Sequence, residues 1–276
     1  MKTELVQLDT GITIEFARSG VVDADSLLFV HGLGTNLHQF EAQQRFFSQY
    51  FQVLMVSLRG HGGSSMPAHP READFSIPQF AQDVKALLSS LDVPRVHFVG
   101  NSAGGLVGYQ LLRTDSELLA SLTTFGTTAE LHSSATLLWF LTRLTRILGP
   151  KIMGKLASIS TKDKAVAQKV AEMFATANKQ AIWMTQVNIA GYDFTPVLQD
   201  HDLPMLLIKG EQDAEINAKL DSTLQILRQK PSFRLVEMEE AGHFSNMEKP
   251  ERFNQILLDF LKDVLRLRQE KLAAVE

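Results

Sequence analysis

Gly100-Asn101-Ser102-Ala103-Gly104 sets a serine between glycines in the pattern G-x-S-x-G. A serine hydroxyl is a poor nucleophile at neutral pH and needs a base, usually an oriented imidazole. The pattern alone is weak, but its surroundings strengthen it. Residues 96–99 read as a short apolar strand, and Gly105-Leu106-Val107 opens a helical pattern. A strand–turn–helix unit of this kind holds the serine on a sharp, strained turn above a sheet. Flanking glycines remove side chains that would collide there. The helix N-terminus beneath favours negative charge.

The base comes from eight histidines. If the order along the chain is serine, acid, histidine, the candidates are His132, His201 and His243. His201 precedes a strand and lies at its amino end. His132 begins a helix-rich stretch. His243, in Glu240-Ala241-Gly242-His243-Phe244, follows the last strand and is the expected base. The acid should also sit at a strand end. Leu206-Leu207-Ile208-Lys209-Gly210-Glu211-Gln212-Asp213 supplies a strand, a breaking glycine and then Asp213, with Glu211 and Glu215 as neighbours that could be confused with it. Its task is to fix the imidazole tautomer and stabilise the imidazolium. His31-Gly32-Leu33-Gly34 ends an early strand, and the N–H groups of Leu33 and Ala103 are the expected oxyanion hole. His31 itself is expected to be structural.

These groups need a frame. Apolar runs at 26–30, 53–56, 96–99, 122–125, 205–208 and 233–236 predict strands buried on both faces, as in a parallel sheet. Residues 12–16 alternate at period two and pair with 4–8 as a hairpin. Helical periodicity marks 37–49, 78–91, 103–114, 216–229 and 249–268. The alternation predicts an α/β, doubly wound, mostly parallel eight-stranded sheet with helices on both faces. Ligands of such sheets sit at the carboxyl ends of the strands, where the glycine-bearing motifs fall.

Residues 129–195 break the alternation with four helix-like stretches, near 134–147, 151–158, 163–177 and 178–190, and no convincing strand. The expected layout is a core domain, 1–128 and 196–276, carrying a helical cap, 129–195. The cap holds eight basic residues against four acidic ones, while the whole chain carries −4. A solvated outer face is the first reading of these cations. An anion-attracting rim, for a carboxylate-bearing substrate or an anionic membrane surface, is the second. Trp139, Met153, Trp183 and Phe244 are the candidate substrate-binding side chains.

Composition closes other routes. The 276 residues are 45% hydrophobic and 21% charged, a mix that folds. A weak negative balance argues against nucleic acid as partner. With no cysteine, thiolate metal sites and a cysteine nucleophile are excluded. No cofactor and no metal are expected. No secretory leader or transmembrane run is visible, so a cytoplasmic monomer or homodimer acting on a small molecule is expected.

Together the motifs resemble the α/β-hydrolase family over nearly the whole chain. They are His31-Gly32-Leu33-Gly34, Arg59-Gly60-His61-Gly62-Gly63-Ser64, Gly100 to Gly104, Gly210-Glu211-Gln212-Asp213, and Gly242-His243-Phe244 followed by Glu248-Lys249-Pro250. The resemblance implies a triad of Ser102, His243 and Asp213 with 129–195 as a cap. The serine sets the chain apart from dehalogenases and epoxide hydrolases, which use aspartate there. Ser57 stands where the family usually has an aspartate, which should weaken one structural contact. Residues 26–110 look like the 3-oxoadipate enol-lactonases. Gly100-Asn101-Ser102 looks like the meta-cleavage C–C hydrolases, although Thr35 and Phe244 replace their loop proline and tryptophan. The implied activity is hydrolysis of a carboxylic ester or lactone with an apolar portion, through an acyl-enzyme. Hydrolysis of a C–C bond in a diketone and ligand binding without turnover are the alternatives.

Overall fold

The computed structural model describes residues 1–132, 143 and 146–273. Its strands are β1 (Glu4–Gln7), β2 (Thr13–Gly20), β3 (Ser26–Val30), β4 (Gln52–Val56), β5 (Val96–Asn101), β6 (Leu119–Phe125), β7 (Glu130–His132), β8 (Gly191–Asp193), β9 (Met205–Gly210) and β10 (Phe233–Met238). Eight of them form one sheet in the order β1-β2-β4-β3-β5-β6-β9-β10. β1 and β2 pair antiparallel, as do β2 and β4; the remaining ladders are parallel.

The continuous apolar runs work because successive side chains point to opposite faces. In β3, Leu28 and Val30 enter one core while Leu27 and Phe29 enter the other. In β4, Leu54 and Val56 part from Val53 and Met55 in the same way. The first core is closed by α2 (Ile77–Ser90) and α3 (Ala103–Thr114), which present Val84, Leu87, Leu111 and Leu112. The second is closed by α1 (Glu41–Phe47) and the terminal helix (Pro250–Ala273), through Phe47, Phe253, Leu257 and Phe260. This is the expected doubly wound sheet.

Between β6 and β9 lie α4 (Pro150–Ala157), α5 (Lys164–Thr176), α6 (Lys179–Asn188) and α7 (Thr195–Asp200). Val166, Val170, Met173, Phe174 and Ile182 form a third cluster there, joined by Phe244 from the loop after β10. Most of the helical stretch expected near 134–147 lies outside the described residues. Two details differ from the sequence reading. β7 and β8 pair antiparallel across the base of this segment; three-residue strands carry no readable alternation. The helix expected over 216–229 is divided into α8 (Ala214–Asn217) and α9 (Asp221–Leu227), so that Asn217 can turn its amide to the Gly210 carbonyl at 2.8 Å. The terminal helix is α10's successor, α11, the four residues of Ser245–Glu248 forming α10.

One buried ion pair braces the frame. Arg59 grips Asp83 in two-pronged fashion, Nε to Oδ2 and a terminal nitrogen to Oδ1, both at 2.6 Å. Thr10 donates to the same carboxylate at 3.0 Å. Removing one partner strands a buried charge, which costs about 3–5 kcal/mol. Arg59→Met should therefore lower unfolding stability by that amount in urea titration. Arg59→Met with Asp83→Leu should recover most of it. Equal stability of the single variant and wild type would refute this reading of the pair.

Candidate active site

β5 delivers Ser102 onto the turn into α3 with φ 51° and ψ −119°. That left-handed conformation is strained for a residue bearing a side chain. The neighbours pin it. Ser102 N–H donates to Phe125 O at 3.1 Å, and Thr127 Oγ1 donates to Ser102 O at 3.0 Å. The turn also needs its small residues. A Cβ on Gly104 would run into the Val30 and His31 carbonyl oxygens, and one on Gly100 into the Gly104 and Gly105 backbone.

His243 follows β10, and Asp213 follows β9. Their side chains meet, with Nδ1 of His243 2.8 Å from Oδ2 of the buried Asp213. Burial alone would push the imidazole pKa down. The Asp213 hydrogen bond and charge outweigh it, with Glu215 and Glu248 adding, and the net pKa is raised above its usual 6.5. With Nδ1 engaged, Nε2 is the nitrogen left to take a proton. Glu211 is turned elsewhere and accepts from Glu240 N–H at 2.8 Å. No hydrogen bond joins Ser102 Oγ to His243 among the described residues. Such contacts are often long in the resting state and tighten with substrate.

Ala103 heads α3, so its N–H has no acceptor within the helix. Leu33 N–H is oriented by its own peptide plane. The Gly32 carbonyl, in that plane, accepts from Thr35 N–H at 3.3 Å and lies 2.7 Å from His31 Nδ1. A planar trans peptide sends the Leu33 N–H the opposite way. His31 Nε2 accepts from Leu58 N–H at 2.9 Å, so the proton sits on Nδ1. The structural part expected for His31 is thus to aim this peptide.

Sequence reasoning missed the polar network that ties these pieces together. Thr35 Oγ1 lies 3.1 Å from Gly32 O and 2.8 Å from Gln39 Oε1. Gln39 Nε2 donates to Asn101 Oδ1 at 3.0 Å, and Asn101 Nδ2 donates to the carbonyl oxygens of Phe125 and His243, each at 3.2 Å. One buried chain therefore links the glycine loop after β3, the serine turn and the histidine loop. Asn101 sits inside a noticed motif, but nothing in the sequence marks Gln39. The expected weak point at Ser57 is also rebuilt. Ser57 Oγ donates to Glu15 Oε2 at 2.8 Å, so a carboxylate reaches the spot from β2, while Leu37 N–H stays 3.3 Å from Ser57 Oγ.

Ser102, Asp213, His243, Leu33 and Ala103 all line one cavity of about 800 Å³. Of the candidate substrate-binding residues, Met153 and Phe244 line it, Phe244 with its ring edge-on to His243, centroids 5.2 Å apart. Trp183 does not: it packs against the first core and under Arg146, whose guanidinium lies 4.8 Å from its ring. On α6, Ile182 packs into the third cluster and Trp183 against the first core, and neither lines the cavity. Trp139 lies outside the described residues. Leu106, Thr127, Thr161, Phe174, Ile189 and Ile216 line the cavity without having been singled out.

Three other histidines are buried and held neutral. Burial, chiefly, takes His31 down to about 3, His61 to about 4 and His97 to about 4. Each ionises at about 6.5 once unfolded. Below that pH the unfolded chain binds protons the folded one refuses, so stability falls as pH drops from about 6.5 toward 4. At about 1.4 kcal/mol per pH unit per group, the joint loss by pH 4 is on the order of 10 kcal/mol, comparable with the whole stability of a domain. Urea midpoints across this range should show it, and a flat stability from pH 7 to 5 would contradict it.

The chain matches the alpha/beta hydrolase family over residues 27–256 and belongs to that family, and it is a hydrolase enzyme. It is 28% identical to 3-oxoadipate enol-lactonase 2 of Acinetobacter baylyi, across 91% of this chain and 94% of that one. It is 25% identical to epoxide hydrolase 3 of Xenopus tropicalis, across 92% and 76%. The solved enol-lactonase of Burkholderia xenovorans superposes with a TM-score of 0.81 at 22% identity, covering 94% of this chain and 100% of that one. At that identity the superposition speaks to the fold alone. No helix among the described residues is long and apolar enough to cross a membrane.

Proposed function

We propose that this chain is a cofactor-independent serine hydrolase of small carboxylic esters or lactones that carry an apolar portion. The observation that carries the reading is the Asp213–His243 hydrogen bond, 2.8 Å long, in the same cavity as a serine on a strained turn. Ser102 Oγ attacks the carbonyl carbon while His243 Nε2 takes its proton. Asp213 keeps the proton on Nδ1 and stabilises the imidazolium. The carbonyl oxygen, now negative, is held by the N–H groups of Leu33 and Ala103. His243 returns the proton to the departing alkoxide, leaving an acyl-serine. Water, deprotonated by His243, then releases the acid and regenerates Ser102.

Met153 and Phe244 would contact the apolar portion, with 129–195 as the cap. Lactones fit the same chemistry, since ring opening leaves alcohol and acyl group in one molecule. The likeness to a chain named as an enol-lactonase supports that half of the proposal. The absence of cysteine fits a reducing compartment, and we place the chain in the cytoplasm.

A series of p-nitrophenyl esters from acetate to laurate, run beside a panel of lactones, tests the substrate class. Turnover with an optimum at one acyl length is expected, because a cavity of about 800 Å³ cannot serve all lengths equally. Failure on every ester and lactone, with turnover of a meta-cleavage dienoate, would replace this reading with C–C hydrolysis.

A further inference from the structure

Four large apolar side chains are left in the open within residues 147–159. Ile147 is 74% exposed, Ile152 49%, Leu156 47% and Ile159 76%. For Ile152 and Leu156, the packing of α4 explains how they come to lie outside. Its inner face packs Met153 and Ala157 into the third cluster, and Gly154 abuts α5, where a Cβ would come within 2.8 Å of Phe174 Cβ. The opposite face then carries Lys151, Ile152, Lys155 and Leu156, all exposed. Residues four apart share a face, so the isoleucine–leucine pair and the lysine pair run side by side.

The charge of the surrounding segment is as distinctive as its apolarity. Residues 146–164 hold five basic side chains and one acidic one, in a chain of net charge −4. The acidic one, Asp163, is engaged in capping α5, accepting from Ala165 and Val166 N–H at 2.8 and 3.0 Å. In the sheet domain Lys85, Lys209, Lys219, Lys230 and Lys249 each meet a carboxylate. Lys151, Lys155, Lys162 and Lys164 have no such partner among the described residues. The patch adjoins the site, because Leu156, Ile159 and Lys162 also line the cavity that holds Ser102.

We propose that this face docks on the surface of an anionic phospholipid bilayer. Ile147 and Ile152 enter the boundary between headgroups and acyl chains, and the lysines meet the lipid phosphates. Exposed apolar side chains interleaved with lysines on one helix face are the pattern of an interfacial element. A second copy of the chain fits less well. A two-fold contact would set the lysines of one face against those of the other. Docking brings the cavity mouth to the lipid, from which an apolar ester can enter. That last step rests on the hydrolase proposed above; the docking does not.

The test uses the full-length protein with Ser102→Ala, so that binding is read without turnover. It is sedimented with vesicles of mixed phosphatidylglycerol and phosphatidylcholine, and with vesicles of phosphatidylcholine alone. Binding to the anionic vesicles, weakened by salt, is expected. Ile147→Glu with Ile152→Glu, and separately Lys151→Glu with Lys155→Glu, should each weaken partitioning by about tenfold or more. With Ser102 retained, both double variants should hydrolyse a soluble ester at the wild-type rate, since none of the four side chains lines the cavity. Failure of the wild-type face to bind anionic vesicles overturns the proposal, as does unchanged binding by both double variants. A dimer in light scattering that the isoleucine variants dissociate would assign the face to a second copy instead. Vesicle binding without turnover of any ester would leave the docking standing and remove the proposed activity.

Discussion

Ser102→Ala should lower kcat on the best ester substrate by about a millionfold, with the fold unchanged. The nucleophile and its base act as one unit, so losing the hydroxyl costs about as much as losing the whole set. What survives is about a thousandfold acceleration over water, from oxyanion stabilisation and binding. The fold should tolerate the change because the turn is held by backbone contacts. Phe125 O and Thr127 Oγ1 grip Ser102 through its N–H and carbonyl. The alanine variant should keep the wild-type urea midpoint and lose all labelling by a fluorophosphonate. Ester turnover within a hundredfold of wild type would end the acyl-serine mechanism.

Asp213→Asn should cost about ten-thousandfold in kcat while leaving the cavity in place. An asparagine can present its amide N–H to Nδ1, which favours the tautomer with the proton on Nε2, the wrong nitrogen for a base. The substitution also removes the hydrogen bond and the negative charge that raise the His243 pKa against burial. The sign of the pH effect follows. Catalysis needs neutral His243, so in wild type kcat/KM should fall as pH drops through a pKa above 6.5. In Asp213→Asn the imidazole loses its proton at lower pH, and the acid limb should move down. Glu211→Gln, which alters a carboxylate directed at Glu240 N–H, should shift neither quantity appreciably. A pH profile of Asp213→Asn that retains the wild-type acid limb would remove Asp213 from its assigned part.

The strands and the order of the site motifs were legible because they are local. A buried parallel strand is a run of apolar residues, and a serine turn is a short glycine pattern between a strand and a helix. Packing direction was not legible. Ile182 and Trp183 are neighbours on α6, and one turns to the third cluster while the other turns to the first core. Either would have satisfied the composition of a pocket wall. The division of the helix over 216–229 likewise follows from a contact, Asn217 to Gly210 O, that no periodicity announces.

Chain order and strand ends led to the expectation of Ser102, Asp213 and His243, and the three line one cavity because a parallel sheet places all its carboxyl ends on one edge. The contact between Asp213 and His243 came from the fold, since 30 residues separate them and the pairing of β9 with β10 brings their loops together. The link from Gln39 to Asn101 spans 62 residues and the carboxylate that reaches Ser57 comes from 42 residues away. Such partners carry no local signal, because a buried amide or carboxylate takes its meaning from whichever donor the packed chain sets beside it. The composition of residues 129–195 showed that the segment is basic and apolar. On α4, the close approach to α5 at Gly154 turns Met153 and Ala157 inward and leaves Lys151, Ile152, Lys155 and Leu156 exposed.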